Sequence, residues 1–357
     1  MGRYANSAWE RNYGCRLREF IFRGHRCITL ENEKIRVLVA ADKGTDILEF
    51  LWKPSDVDVL WHSPTGLRHV VVGKSSPRPE GDFRDHFAGG WYEMLPNGPE
   101  PCTHRGASWG NHGESTLLPW SYTVLQDDVE KIGVRFEVRL TRIPLQVEKT
   151  MWLRRQSGTL TIEETITNFG AQTVEALWGQ HPTLGWPFLD ENCRIYLPTC
   201  SAATGAEVPL GARLAAKQRG DWPWLLDGNG RKIDLSAMPA PEVKSHDFVR
   251  LTGFEQGWFA IVNPELKVGW ALKWDAKKFP VLGFWQLYRG GNGYPWYGMH
   301  YLAALEPAND LPSLARAVER GTATILHPGA TTSATWEATA FDRPLEVHEI
   351  RANGEVL

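Results

Sequence analysis

Most signatures of common function classes are missing from this 357-residue sequence. No stretch approaches the ~20 apolar residues of a membrane-spanning helix. The N-terminus, MGRYANSAWERNYGCRLREF, mixes charges and aromatics where a secretory signal carries an apolar segment. A cytoplasmic protein with no membrane partner is expected. Met1-Gly2 opens like a myristoylation signal, but Asn6 stands where that motif requires Ser or Thr. The five cysteines, Cys15, Cys27, Cys102, Cys193 and Cys200, are odd in number and lack C-x-x-C spacing. That excludes a disulfide framework and a zinc knuckle and leaves reduced, structural thiols. A basic field is absent too: the net charge is -3 and Lys and Arg are scattered, so nucleic acid is excluded as a partner. There is no Gly-rich dinucleotide turn, repeat, linker or low-complexity tract, and no serine or cysteine nucleophile motif.

Helical patterning is confined to a short stretch near Pro312 to Ala317, and strand signals fill the rest. Ile35 to Ala40 and Thr45 to Trp52 read as a hairpin, as do Trp120 to Leu125 with Gly133 to Leu140, and Leu145 to Arg154 with Thr159 to Asn168. The last of these, TLTIEETITN, alternates with period two, which predicts one buried and one wet face. Trp258 to Val262, Val268 to Trp274, Val281 to Tyr288 and Tyr301 to Leu305 follow, then a closing pair, Ala323 to His327 and Ser333 to Phe341. Serial antiparallel hairpins predict an all-β fold, a large twisted antiparallel β-sandwich with few short helices. The length is compatible with two domains; one domain over residues 1–357 is expected, with 1–26 as an N-terminal arm. Ser75 to Trp91 and Pro187 to Trp224 read as long loops, which in compact domains are commonly functional.

Seventeen tryptophans are the compositional excess. Many adjoin Gly or Pro, as in Gly90-Trp91 and Pro295-Trp296. Most are accounted for by core filling, but at the mouth of a β-structure such rings can stack on the C–H face of a sugar. Three polar phrases interrupt the strands: WGNHGES with His112, WGQHPTLG with His181, and YLAALEP with Glu306. Two histidines and a carboxylate from distant segments suit proton transfer at both ends of one bond. Pro182 biases His181 toward an extended backbone, Gly113 lets a ligand approach the turn at His112, and Glu306 ends an apolar strand at a sheet edge. Arg84, in DFRDH, could bind hydroxyls or an anionic group, or pair with Asp82 or Asp85. The segment GFWQLYRGGNGYPWYG supplies Trp285, Gln286, Tyr294 and Trp296, and with Trp91, Asn111 and Gln180 these complete the candidate substrate-binding residues. His104, His112 and Glu114 match no metal-site spacing, so neither a metal nor a cofactor is expected.

In order and context the three phrases resemble the galactose mutarotase-like (aldose 1-epimerase) superfamily, from about Ile28 to Phe341. The resemblance implies that superfamily's large β-sandwich and a cofactor-independent isomerase of carbohydrate metabolism that interconverts the anomers of a monosaccharide or sugar derivative. It places Glu306 as general base, His181 as general acid and His112 as the residue orienting substrate. The superfamily's Gly-Arg-x-x-Asn-Arg phrase is absent, and Pro307 follows Glu306 where Thr-Gln is usual, so galactose and glucose are not implied. Two alternatives stand beside this reading. One is a glycoside hydrolase or lyase, in which Asp82, Glu93 or Glu114 would partner Glu306; the other is a non-catalytic carbohydrate-binding protein. A homodimer is the assembly entertained.

Overall fold

Strands with period-two alternation bury one face, and here the apolar phases meet between two large antiparallel sheets. In the computed structural model, which describes residues 11–69, 83–351 and 355–357, Leu145–Arg154 and Thr159–Asn168 alternate buried and more exposed residues. Among the described residues one sheet has twelve strands, in the order Arg16–Phe22, His25–Glu31, Ile35–Ala40, Asp46–Trp52, Trp91–Met94, Gly179–Gly185, Tyr301–Ala308, Val281–Tyr288, Ser245–Thr252, Ser201–Ala203 and Arg219–Asp221, with Val57–Asp58 on Asp46–Trp52. This is called the site sheet below. The back sheet has eight: Arg194–Tyr196, Gly257–Asn263, Val268–Trp274, Thr331–Phe341, Thr159–Asn168, Leu145–Arg154, Lys131–Arg139 and Ser121–Asp127. Trp91, Trp120, Trp178, Trp270 and Trp336 are fully buried in the core with Phe50, Phe136 and Phe284. Each such Trp withdraws about 200 Å² from water, worth about 5 kcal/mol at 25 cal/mol per Å².

Several expectations change in detail. Thr324–Leu326 does not pair with the final strand; it joins Val174–Ala176, while Thr331–Phe341 inserts between Thr159–Asn168 and Val268–Trp274. The helix runs Leu314–Arg320, closed by Gly321 at φ +69°, a conformation glycine adopts without steric cost. Short strands interrupt the segment 187–224. Residues 16–26 of the expected arm lie in or beside the first two strands of the site sheet, and residues 1–10 fall outside the described residues. So do residues 75–82 of the loop that begins at Ser75, Asp82 among them. Glu306 is not at a sheet edge: its strand has neighbours on both sides. Among the described residues no helix is long and apolar enough to cross a membrane.

Candidate active site

The site is a row of side chains across the middle of the site sheet. The pairs Gly179↔Ala308 and Thr183↔Ala304 set His181 directly across from Glu306. On its other side His181 faces Tyr92, and beyond Glu306 stands Gly283. Pro182 and Pro307 have no N–H to give, and the ladder between their strands registers no pairs from 180 to 182 or from 305 to 307. The side chains bridge that gap. His181 Nε2 lies 3.0 Å from Glu306 Oε1, His181 Nδ1 lies 3.2 Å from Thr183 Oγ1, and the Tyr92 ring stacks on the imidazole at 4.5 Å and 19°. His181 is 3% exposed and Glu306 1%. Yet Glu306 Oε2 is buried with no hydrogen-bond partner, an arrangement proteins seldom keep without a use. A Cβ at Gly283 would sit 3.3 Å from that oxygen and 2.7 Å from Leu311 Cδ1, so glycine there leaves the carboxylate its room.

His112 comes from outside the sheet, on a turn in which it adopts φ +60° and Gly113 φ +77°. A Cβ on Gly113 would meet Leu95 O at 2.2 Å, so the packing of its own turn against that backbone requires glycine there. His112 N–H donates to Gly98 O at 2.7 Å. Its ring lies 5.1 Å from that of His181, nearly perpendicular, and 4.6 Å from that of Phe83. Nδ1 is buried without a partner. Burial, then the neighbouring His181 and Arg84, hold the pKa of His112 well below the ordinary histidine value, so it is neutral where an unperturbed histidine begins to titrate.

Aromatic rings wall the site. Trp285, one step along the same face from Gly283, lies 6.0 Å from the His181 ring and 5.1 Å from that of Trp296. Its Nε1–H donates to His246 Nε2 at 2.9 Å, which makes that nitrogen the acceptor. Burial also lowers the His246 pKa, with Arg84 acting in the same direction. Trp296 packs on Trp61 and Phe87. Arg84 is exposed on a helical turn. Tyr294, half exposed, donates its hydroxyl to Asp85.

Four expected binding residues turn elsewhere. Trp91 and Gln180 occupy the opposite face of their strands, where Trp91 Nε1–H donates to Gln180 Oε1 at 2.8 Å. Gln286, likewise reversed relative to Trp285, accepts from Arg213 at 2.7 Å. Asn111 donates to Pro99 O. In each strand case the residue one position away faces the site, because neighbours in a strand point to opposite sides. Glu93 lies on that reverse face, and Glu114 Oε1 accepts the backbone N–H groups of Thr141 and Arg142; of the carboxylates expected to partner Glu306, neither described one joins it. His104 bonds Glu175 at 3.1 Å, so His104, His112 and Glu114 do not converge. Tyr92, Thr183, His246 and Gly283 are not among the site residues expected from sequence. Strand alternation places Tyr92 one residue on from Trp91 and on the opposite face; the strand that carries His246, Ser245–Thr252, is not among those expected from sequence.

The chain matches, over residues 22–339, the family described as a domain of unknown function, DUF4432, and it belongs to that family. No curated protein matches it in sequence. A candidate aldose 1-epimerase from Klebsiella pneumoniae superposes with a TM-score of 0.69 at 16% identity, covering 92% of this chain and 87% of that one. A galactose mutarotase-like protein from Clostridium acetobutylicum gives 0.62 at 13%, over 92% and 99%. A candidate aldose 1-epimerase from Escherichia coli gives 0.57 at 15%, over 91% and 99%. The fold is the galactose mutarotase-like β-sandwich.

Proposed function

We propose that the chain is a cofactor-independent mutarotase that interconverts the anomers of a free sugar or sugar derivative. The observation that carries this reading is the buried His181–Glu306 contact with one carboxylate oxygen unpartnered beneath aromatic rings. In it, the anomeric hydroxyl gives its proton to Glu306 Oε2, and His181 Nε2, released from Oε1, protonates the ring oxygen. Both oxygens are bonded to C1, so one substrate atom brings both within reach of the pair. The C1–ring-oxygen bond breaks, the aldehyde turns about C1–C2, and reclosure with the roles reversed yields the other anomer. Neutral His112 hydrogen-bonds the ring oxygen or an adjacent hydroxyl as charge develops. Trp285 offers a face for stacking, and Arg84 and Tyr294 stand at the mouth.

Anomer exchange followed by saturation-transfer NMR across a panel of aldoses, deoxy sugars and uronic acids tests this. Exchange above the uncatalysed rate for at least one member is expected, unchanged after exhaustive chelation. No acceleration for any member, with release of a reducing end from glycosides instead, would favour the hydrolase reading.

A further inference from the structure

Directly behind the His181–Glu306 pair, four buried polar residues form a square between the sheets. Glu93 and Gln180 are cross-strand partners on the inner face of the site sheet; Lys149 and Glu164 are cross-strand partners on the inner face of the back sheet. The two pairs face each other. Gln180 Nε2–H donates to Glu164 Oε1 and Oε2 at 3.1 and 3.0 Å. Lys149 Nζ lies 2.9 Å from Glu93 Oε2, a polar contact without ideal hydrogen-bond direction, and 3.2 Å from Glu164 Oε1. Trp91 Nε1–H holds Gln180 Oε1, Trp336 Nε1–H donates to Glu164 Oε2 at 2.8 Å, and Lys149 donates to Thr45 Oγ1 at 3.0 Å.

A buried ionic cluster commonly stabilises less than apolar residues of equal volume would, and its best-attested use is to fix one arrangement. The arrangement in need of fixing is adjacent. The ladder that would hold the His181 strand to the Glu306 strand is interrupted at 180–182 and 305–307, where Pro182 and Pro307 have no N–H. We propose that Gln180, gripped by Glu164 and Trp91, is a positioning residue that holds the His181 strand in place of those missing backbone bonds and so keeps the imidazole in reach of Glu306. The proposal rests on the acid role given to His181 above, but its structural half does not depend on any substrate.

The test is the Gln180→Met variant, with histidine rings labelled with ¹⁵N and the His181 ring proton assigned by its loss in His181→Asn. A protected His181 Nε2–H resonance is expected in the wild type and its broadening or loss in Gln180→Met, with kcat down about 10- to 100-fold and KM within about threefold, the scale of a small misplacement. Gln286→Leu, which empties another buried amide on the same inner face, serves as control: melting temperature falls while resonance and kcat stay. A folded Gln180→Met that retains both the resonance and kcat overturns the proposal. Should Gln180→Met fail to fold, Trp91→Phe, which removes the donor to Gln180 along with part of the buried ring, decides by the same resonance. If the resonance responds but the wild type turns over no sugar, positioning stands and the mutarotase reading falls.

Discussion

The two faces of the site sheet, compared over the same few residues, separate structural polarity from polarity available for chemistry. On the inner face Trp91 and Gln180 hydrogen-bond each other and Glu164, and Glu93 lies against Lys149 with neither carboxylate oxygen hydrogen-bonded. On the outer face Tyr92, His181 and Glu306 are buried as deeply, yet Glu306 Oε2 and, above it, His112 Nδ1 are left without partners. Leaving a buried polar atom unpaired costs about 1–3 kcal/mol, so burial alone does not mark a site. Nor does an unfilled hydrogen-bonding position by itself, since Glu93 and Gln286 Nε2 on the inner face also lack hydrogen bonds; what sets the outer face apart is that its open positions, Glu306 Oε2 and His112 Nδ1, accompany a His181–Glu306 contact among aromatic rings, whereas the Glu93 carboxylate lies against Lys149.

Removing the base should break the comparison most severely. Glu306→Gln keeps the shape of the side chain and loses its basicity, so turnover should fall by about two to four powers of ten with the fold retained. Turnover within about threefold of wild type would take Glu306 out of the base role.

Exchanging the histidines comes next. The reading requires protonated His181 and ionised Glu306 together, which gives a bell-shaped profile. His112, depressed by burial, is already neutral through the working range and contributes no high-pH limb. His181→Asn should therefore remove that limb with a loss of about 10²-fold or more, and His112→Asn should weaken binding and rate while leaving both limbs. The reverse outcome would swap the two roles.

A smaller effect is expected from the inner face, in stability. Burial and the facing Glu164 carboxylate raise Glu93 to about 8, against the pull of Lys149. The folded state then holds a proton that the unfolded state has released, so stability contributed by protonated Glu93 is complete below about pH 4.5, the ordinary glutamate value, and is lost as pH rises toward 8. The slope for one proton is at most about 1.4 kcal/mol per pH unit. Denaturation midpoints of Glu93→Gln from pH 5 to 8 should lack that slope; an unchanged slope would place it elsewhere.

The framework strands were legible because they alternate: Leu145–Arg154 and Thr159–Asn168 have the bounds their pattern predicts. Of the strands that carry the site, Val281–Tyr288 has the expected bounds and Tyr301–Ala308 continues past the expected end at Leu305; the other two were not legible. Every residue of Trp91–Met94 and Gly179–Gly185 is buried, and a strand covered on both faces shows no apolar–polar period. His112, His181 and Glu306 stand out as phrases, but the phrases do not show which neighbour shares the site's face: Trp91, Gln180 and Gln286 each stand one residue from Tyr92, His181 and Trp285. The square did leave a trace, since Lys149 shares the phase of Leu145, Val147, Met151 and Leu153, and Glu164 that of Leu160, Ile162 and Ile166. A charge in the buried phase of a clean alternation needs a partner across the sandwich.

The adjacent pair Trp285 and Gln286 sharpens the comparison at its smallest scale, because one step along the chain crosses from the outer face to the inner. Loss of aromatic stacking at Trp285 forfeits about 0.5–1.5 kcal/mol beyond area, so Trp285→Leu should raise KM several-fold to about tenfold; it also frees His246 Nε2 from its donor. Gln286→Leu removes the acceptor of Arg213, whose guanidinium still pairs with Asp247 at 3.1 Å. Its cost should appear as a lowered melting temperature, with kcat and KM of the folded enzyme unchanged. If Gln286→Leu raises KM as much as Trp285→Leu does, the reverse face reaches the substrate, and the division of the sheet into a structural and a chemical side fails at this strand.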